Sequence, residues 1–340
     1  MLESDMCIAY THLELRPALD DMLRSHDANL GTIVRLESNR CADQTSFNLV
    51  DLEIELEDGT VLLLLLKDLG MENLHETARR VKPHFLYNPL REIKTYQEIL
   101  APSGLSTAHF YGAVVRPDKD RYWLLLEKIS GLRLSQVSDY SAWLQAARWL
   151  ARLHSRFAGE SETLSRSVPL LHYDAAFYRM WLERVEEFQS VGPRKAVWQA
   201  LAGNYDRAIE RLIRLPSTLI HGEFYASNIL IQETREGCRI RPVDWETTAV
   251  GPGLIDLAAL TSGAWTECER AEMAAAYHDT LLSEGMPGFP LKDLLLALDD
   301  CRLHLAIRWL GWAPDWSPPS ENAHNWLEEA IALSEKTGMK

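Results

Sequence analysis

The spacing of apolar and polar residues changes character partway along this 340-residue chain. In the first part the pattern is typical of strands. Residues 33–36 form a short apolar segment, residues 47–56 alternate, and residues 61–66 are an unbroken aliphatic run after a turn at 57–60. These segments predict three strands. The unbroken run further predicts a strand that is buried on both faces.

One helix in this first part has well-marked ends. Asn88 suits the N-cap and Pro89 the first helical position, and apolar residues then recur at helical spacing as far as Pro102. Residues 108–115 and 122–127 follow as the two strands of a hairpin. The first part therefore combines an antiparallel sheet with a helix.

The second part of the chain is predicted to be mainly helical. Helical spacing covers residues 140–154, 174–190 and 195–214, and it dominates again from Leu257 towards the C-terminus. Loops and short strands interrupt the helices only at residues 218–247. The chain is thus predicted to be an α+β protein.

The change of pattern also predicts two lobes, because the chain is longer than a typical single domain. Residues 1–127 would form a small N-lobe built on an antiparallel sheet, and residues 128–340 a larger, mainly helical C-lobe. The hinge is expected at residues 127–131.

Charge narrows the classes of partner. The net charge is −14 at pH 7, with 25% charged and 46% hydrophobic residues, as in a soluble globular protein. The negative charge argues against nucleic-acid binding, which needs a basic face along the phosphates. It would suit a cationic small-molecule ligand, although acidity that serves only solubility explains the same number.

Cysteine usage and the start of the chain predict a cytoplasmic protein. The first residues lack the basic-then-apolar pattern of a signal peptide, and the aliphatic run at 61–66 is too short to cross a membrane. A monomer and a homodimer are both compatible with the sequence. The cysteines are scattered, odd in number and without a CxxC pair, so we expect free thiols at Cys7, Cys41, Cys238, Cys268 and Cys301.

Three functional side chains are concentrated in one predicted loop. His221, Glu223 and Asn228 precede an apolar strand, and the return strand after a turn ends at Asp244. A hairpin brings its two open ends together, so Asn228 and Asp244 should lie side by side. Carboxylate and amide oxygens are suitable ligands for Mg²⁺, which takes hard oxygen ligands and usually only one or two from protein.

In these segments the chain resembles the aminoglycoside phosphotransferase and choline kinase-like family, a branch of the protein-kinase-like fold. The family's loop His-Gly-Asp-x-x-x-x-Asn is matched by residues 221–228, and its Ile-Asp-Trp/Phe-Glu motif by residues 243–246. Two further family stretches are matched by residues 251–258 and 149–154. The resemblance extends over residues 30–330 and implies a bilobal protein-kinase-like fold.

The resemblance implies an ATP-dependent (or GTP-dependent) small-molecule kinase that transfers the γ-phosphate to a hydroxyl of a small polar molecule. Asn228 and Asp244 would hold Mg²⁺, and Glu223 would stand in the position of the catalytic base. Amino-sugar antibiotics, sugars, nucleosides and amino alcohols are the acceptor classes that the resemblance leaves open.

The nucleotide side of the site is expected to come from the first lobe and the hinge. Lys67, at the end of a strand, would contact the nucleotide phosphates and be held by Glu92 on the capped helix. Backbone groups from Glu127 to Ile129 would meet the nucleotide base.

The chain departs from the family pattern in two places. Glu223 occupies the position of the usual aspartate, which moves the carboxylate, and residues 37–48 contain none of the glycines of a protein-kinase nucleotide loop. A nucleotide-binding pseudokinase with a regulatory or scaffold role therefore stays as the main alternative. A helical interaction protein without nucleotide is the third.

Several other residues are interpreted as structural. Asp256 is expected to brace the catalytic loop, His221 to hold the turn rigid through loop carbonyls, and His154 to pack in the core. Lys82 and Lys94 are interpreted as surface charges. We expect packing rather than substrate binding from Trp309, Trp312, Trp316 and Trp326.

Overall fold

The computed structural model describes residues 12–41, 46–189, 195–235, 237–312 and 324–338. The chain divides into two compact units. The first comprises residues 1–80 and 93–130, and the second comprises residues 81–92 and 131–340. Residues 81–92 thus belong with the second unit, although they precede the predicted boundary at residue 127.

The first unit is built on an antiparallel sheet. Within the described residues this sheet has five strands in the order β1-β2-β3-β5-β4. The strands are β1 Ile33–Arg40, β2 Leu49–Leu56, β3 Val61–Asp68, β4 Phe110–Arg116 and β5 Arg121–Glu127. The predicted strands and the predicted hairpin are therefore present, with β1 four residues longer than its apolar segment.

One face of this sheet is covered by helix α1 (His12–His26). Leu15 and Leu19 on α1 are buried in one cluster with Ile54 and Leu66 of the sheet. Burial of these side chains fixes the register of the strands, because a slip by one residue would turn the apolar set to the other face.

The prediction that residues 61–66 are buried on both faces is wrong for the start of β3. Leu64 and Leu66 face the core, whereas Val61 and Leu63 are 52% and 49% exposed. An antiparallel sheet can leave one face open, and an aliphatic run alone does not distinguish that case from burial on both faces. Lys67 lies on the same face as Leu63, because side chains alternate along a strand.

The helix that begins after Asn88 follows the predicted signals. The side chain of Asn88 accepts a hydrogen bond from Leu90 N at 3.0 Å. The helix runs as α3 (Pro89–Lys94), continues through a π-helical turn at Thr95–Leu100, and ends at Gly104, which has a φ of 72°. The positive φ at the helix end is the conformation that favours glycine there.

The second unit is mainly helical, as predicted. Its longer helices are α5 Tyr140–Arg156, α7 Ala175–Gln189, α8 Lys195–Leu212, α10 Glu267–Ser283 and α11 Leu291–Leu310. The remaining helices of the chain are α2 Glu76–Val81, α4 Ala101–Ser103, α6 Ser161–Ser167, α9 Leu254–Leu260 and α12 Trp326–Gly338.

Two small sheets interrupt these helices and carry the predicted motif region. Among the described residues one has the order β10-β9-β6 and the other β7-β11-β8. The strands of the first are β6 Leu132–Arg133, β9 Ile229–Thr234 and β10 Gly237–Pro242. Those of the second are β7 Leu171–His172, β8 Ser217–Ile220 and β11 Ala249–Pro252.

Most of the predicted tryptophan cluster packs between elements of the second unit. The rings of Trp309 and Trp326 stack with centroids 5.4 Å apart, and those of Trp181 and Trp312 with centroids 5.9 Å apart. Such contacts are typical of aromatic packing. Trp316 lies outside the described residues.

Two further expectations from the sequence concern the state of the cysteines and whether any segment could cross a membrane. Four cysteines lie in the described part of the chain, and no disulfide joins any two of them; Cys7 lies outside it. No helix among the described residues combines the length and the apolarity needed to cross a membrane.

His304 on α11 makes stability depend on pH. Its Nδ1 lies 2.6 Å from the Tyr205 hydroxyl, and the rings of Tyr173 and Tyr178 and the guanidinium of Arg308 surround it. Burial, with Arg308 adding to it, lowers the pKa of His304 well below its usual value. The folded state therefore holds a neutral imidazole that the unfolded state protonates below pH ~6.5.

We expect the free energy of unfolding to fall as the pH drops below ~6.5, by up to about 1.4 kcal/mol per pH unit from this one group. Denaturant unfolding of the wild type and of His304→Gln at pH 7.5, 6.5 and 5.5 measures the effect. The glutamine retains an acceptor for Tyr205 but no titratable ring, so its stability should change less over this range. If the free energy of unfolding changed equally with pH in the two proteins, His304 would not be the source of the pH dependence.

Candidate active site

The loop after β8 is held in place by Asp256, the third residue of α9. The Asp256 carboxylate is fully buried and accepts hydrogen bonds from His221 N at 2.7 Å and Gly222 N at 2.8 Å. Its Oδ2 also lies 3.3 Å from Nε2 of His154, which is buried as predicted and contacts the Tyr277 hydroxyl. The predicted role of Asp256 as a brace of the loop is confirmed.

His221 has the predicted structural role. Its Nε2 lies 2.9 Å from the Val243 carbonyl, and its Nδ1 accepts a hydrogen bond from Glu223 N at 3.3 Å. A carbonyl can only accept and a backbone N–H can only donate, so the ring is neutral with its proton on Nε2. The imidazole therefore ties the loop to the end of β10.

Gly222 is required by its conformation and by its surroundings. Its φ is +83°, and a Cβ at this position would lie 2.4 Å from the Thr247 carbonyl oxygen. The clash would be with the backbone of Thr247, and backbone cannot move aside as the end of a flexible side chain can. A glycine is therefore required at this position of the loop for steric reasons.

We expect Gly222→Ala to destabilise the fold by more than a left-handed alanine alone would cost, and to lower activity by displacing the loop. Gly59→Ala is the matched control, because Gly59 has a φ of +81° and no atom lies within 4 Å of the position that an added methyl group would take. Its cost should be about 1 kcal/mol, from backbone conformation only. Denaturant unfolding measures both, and equal losses would show that Thr247 imposes no steric limit.

The predicted hairpin is present and brings Asn228 and Asp244 to its open end. Strands β9 and β10 pair up to Ile229 opposite Pro242, and Val243 N donates to the Asn228 carbonyl at 2.9 Å. Asp244 follows directly, with a φ of +66°. Left-handed backbone at a residue other than glycine is uncommon and concentrates at functional sites.

The donor set at this end fits Mg²⁺. The Asn228 side-chain nitrogen donates to the Glu223 carbonyl at 3.1 Å, which turns the amide oxygen away from that contact. The amide oxygen of Asn228 and the carboxylate of Asp244 are both hard ligands of the kind that Mg²⁺ prefers. The described residues contain no group of three or more His, Cys, Asp or Glu side chains arranged to hold a metal.

Glu223 is paired with a residue that the sequence did not point to. Its Oε1 accepts a short hydrogen bond from Nη2 of Arg308 near the end of α11. Burial raises the pKa of Glu223 to about 7, against the Arg308 charge, which lowers it. Glu246 and Asp244 raise it further. The carboxyl group thus has a pKa in the range that suits proton transfer near neutral pH.

The interpretation of Lys82 as a surface charge is wrong. Its side chain is only 5% exposed and forms a short ion pair with Glu246, two residues after Asp244. Arg91 lies on the same side, donating to the Glu246 carbonyl at 2.9 Å. A lysine is rarely buried without such a pair, and no periodicity in the sequence reveals the partner. Lys94 pairs with Glu98 on a partly exposed helix face, as expected of a surface charge.

Lys67, predicted to contact the nucleotide phosphates, and Glu92, predicted to hold Lys67, are both buried. The ammonium group of Lys67 lies 5.7 Å from the centre of the Phe47 ring. Glu92 accepts a hydrogen bond from Trp245 N at 3.2 Å, so it contacts the segment that carries Asp244. The pairing of Lys67 with Glu92 stays a prediction.

Of the two residues predicted to meet the nucleotide base, Glu127 is the last residue of β5 and Ile129 lies beyond it. The side chain of Glu127 accepts a hydrogen bond from His109 N at 3.1 Å, and its own N–H donates to the His109 carbonyl at 2.8 Å. Ile129 is half-buried in the segment that follows. Their role towards a nucleotide stays a prediction.

A sequence profile described as a phosphotransferase enzyme family matches residues 78–291, which is more than half of the chain. This span contains the loop, the hairpin, Asp256 and Glu92. A sequence search of curated proteins gives no match.

Solved structures of similar fold cover nearly the whole chain. A macrolide 2′-phosphotransferase from Brachybacterium faecium has a TM-score of 0.55 and 17% identity, over 93% of this chain and 97% of that one. An aminoglycoside 2″-phosphotransferase in complex with GDP and kanamycin has 0.55 and 14%, over 94% and 97%. A choline/ethanolamine kinase family protein from Mesorhizobium loti has 0.54 and 15%, over 95% and 93%. The predicted fold is confirmed.

Proposed function

The chain belongs to the phosphotransferase enzyme family, and we propose that it transfers the γ-phosphate of ATP, or of GTP, to a hydroxyl of a small polar molecule. The observation that carries this proposal is the arrangement around the hairpin end. Glu223 lies on the loop entering the end at which Asn228 and Asp244 meet, and Asn228 donates to the Glu223 carbonyl. The proposed base and the proposed metal ligands are therefore tied together.

The proposed reaction needs little covalent help from the protein. The acceptor oxygen forms a bond to the γ-phosphorus while the bond from that phosphorus to the β–γ bridging oxygen breaks. The nucleoside diphosphate leaves, and the acceptor proton passes to Glu223. A pKa of about 7 lets the carboxylate take this proton and release it afterwards to solvent.

The metal would be held by Asn228 and Asp244. Bound Mg²⁺ would neutralise negative charge on the transferring phosphate groups. Asp244 follows a paired strand with left-handed backbone, and the N–H of the next residue, Trp245, donates to Glu92. This support would keep the ligand in place before the nucleotide arrives.

The nucleotide itself would be bound by the residues predicted from the sequence. Lys67, held by Glu92, would contact the phosphates, and backbone groups from Glu127 to Ile129 would meet the base. The GDP complex of the similar aminoglycoside phosphotransferase supports a purine nucleotide as co-substrate.

The charge of the chain and the similar structures support a proposal for the class of acceptor. Those structures are of enzymes named for aminoglycoside, macrolide or choline and ethanolamine acceptors, and one contains kanamycin. The chain has a net charge of −14, which favours a cationic acceptor such as an amino sugar or an amino alcohol.

A panel of alcohols, amino sugars, macrolides and nucleosides with Mg²⁺ and γ-labelled ATP or GTP tests the proposal. We expect transfer of label to at least one hydroxyl compound, and loss of transfer when Mg²⁺ is chelated. Absence of transfer across the panel with both nucleotides would overturn the proposed function.

The alternative is a nucleotide-binding pseudokinase, suggested by the glutamate at position 223. It predicts that Mg²⁺-ATP or Mg²⁺-GTP raises the melting temperature without any turnover. The pairing of Glu223 with Arg308 is compatible with an enzyme, because Arg308 binds only one carboxylate oxygen and the Glu223 side chain keeps 16% of its surface exposed.

A further inference from the structure

Arg308 is a buried cation at the end of α11 that contacts the catalytic loop twice. Its Nη1 donates to the Gly222 carbonyl at 2.5 Å, and its Nη2 bonds Oε1 of Glu223. Nη1 also lies 3.3 Å from the Tyr173 hydroxyl, and the guanidinium carbon is 5.6 Å from the centre of the Trp181 ring. Four separate groups therefore fix the position of this guanidinium.

The contact between Arg308 and Glu223 involves only one oxygen of the carboxylate. Oε1 bonds Arg308, and no residue in the described part of the chain donates to Oε2. The Glu223 side chain is 16% exposed, whereas that of Arg308 is 4% exposed. One oxygen is thus held in the protein while the other can meet a hydroxyl that arrives from solvent.

We infer that Arg308 is a positioning residue for Glu223, and that the two form a matched pair in which only a glutamate can serve at position 223. The inference rests on the proposed function and assigns its base a partner. The extra methylene of Glu223 then places its carboxylate where Arg308 can bind it.

Side-chain length determines which carboxylate can meet Arg308. An aspartate at position 223 would end about 1.5 Å short of the glutamate carboxylate, one carbon–carbon bond. Arg308 cannot follow it, because Gly222, Tyr173 and Trp181 hold the guanidinium where it is. The aspartate would leave a buried charge without its carboxylate, which is strongly unfavourable.

The charge of Arg308 supports the same assignment. Burial by itself lowers the pKa of Arg308, but Tyr173, Glu223 and Tyr225 raise it above its usual value. The guanidinium therefore stays charged near neutral pH, and its partner carboxylate is held without a change of protonation in Arg308.

Turnover of four variants tests the positioning role. We expect Glu223→Asp and Arg308→Ala each to lower kcat by about 100-fold, the scale of small misplacements of a catalytic group. The KM for the nucleotide should stay within a factor of about three, because Mg²⁺ and nucleotide use other residues. Glu223→Gln should be inactive, since an amide cannot accept the proton.

The fourth variant, Arg302→Met, is the matched control. Arg302 is also a buried arginine of α11 and pairs with Glu329, away from the loop. Its loss should lower stability and leave kcat unchanged at a temperature at which the protein is folded. Millimolar methylguanidinium should raise the turnover rate of Arg308→Ala at least tenfold and leave that of Arg302→Met unchanged.

A double-mutant cycle tests the pair without turnover. The effects of Glu223→Gln and Arg308→Met on the unfolding equilibrium should be non-additive by at least tenfold, which is about 1.4 kcal/mol. Additive effects would overturn the inference. So would a Glu223→Asp variant as fast as the wild type, or a failure of methylguanidinium to rescue. If the wild type transfers no phosphate, the proposed function fails, and the cycle still decides whether the pair exists.

Discussion

Replacing Asp244 with asparagine is expected to lower kcat/KM by about 10³-fold, the scale seen when one group that stabilises a developing charge is removed. Asparagine is the residue of choice because Asp244 has a φ of +66°. Asparagine tolerates left-handed backbone better than most residues, so the fold should lose little stability. The substitution therefore removes the charge that would hold Mg²⁺ and leaves the backbone in place.

The chain offers a matched control for this variant. Asp120 is the other aspartate with a positive φ in the described residues, at 46°, and its carboxylate accepts a hydrogen bond from Glu72 N. Asp120→Asn should change the free energy of unfolding by a similar small amount and leave turnover unchanged. Initial rates over a Mg²⁺ titration give the comparison. If Asp244→Asn stays within a few-fold of the wild-type rate, Asp244 is not a metal ligand.

The hairpin end was the part of the site best predicted from the sequence. Turn residues and two apolar strands are local signals, and an antiparallel pair must bring its open ends together. Asn228 and Asp244 could thus be placed side by side without any knowledge of the tertiary fold. Asp256 was predicted through the family motif, and its contacts with His221 N and Gly222 N give that motif its physical meaning.

Arg308 and Lys82 could not be predicted in the same way. Arg308 lies 85 positions after Glu223 along the chain, and helical periodicity carries no information about which loop an arginine will meet. A weak signal did exist, because Arg308 follows the apolar run 305–307 in a helix that is buried over most of its second half. A charged residue there needs a partner, but the sequence does not name it.

In the first unit the sequence predicted the strands but not which of their side chains are buried. The aliphatic run of β3 correctly predicted a strand but not its environment, because Val61 and Leu63 belong to the face opposite helix α1. Helix α1 itself had no place in the sequence prediction, although it provides Leu15 and Leu19 to the core. Which face of a sheet is covered depends on elements that are distant in sequence. A pattern with a period of two residues gives no information about this when both faces of the strand carry leucine.

Asp256→Asn is expected to destabilise the protein by about 3 kcal/mol and to lower activity with it. The fully buried carboxylate accepts from two backbone N–H groups, one at each oxygen. An asparagine of the same shape has one oxygen and one NH₂ group, so either His221 N or Gly222 N would face a second donor. A buried N–H without an acceptor loses its hydrogen bond and cannot regain water.

The effect on activity should exceed what the loss of stability explains, because His221 and Gly222 begin the loop that carries Glu223. Asp300→Asn is the control: Asp300 is also buried, and both of its oxygens bond Arg211, away from the loop. It should cost stability and retain the wild-type kcat at a temperature at which it is folded. Denaturant unfolding and initial rates on both variants separate the two effects. Equal kcat values for the folded forms of the two variants would mean that Asp256 stabilises the fold without setting the geometry of the catalytic loop.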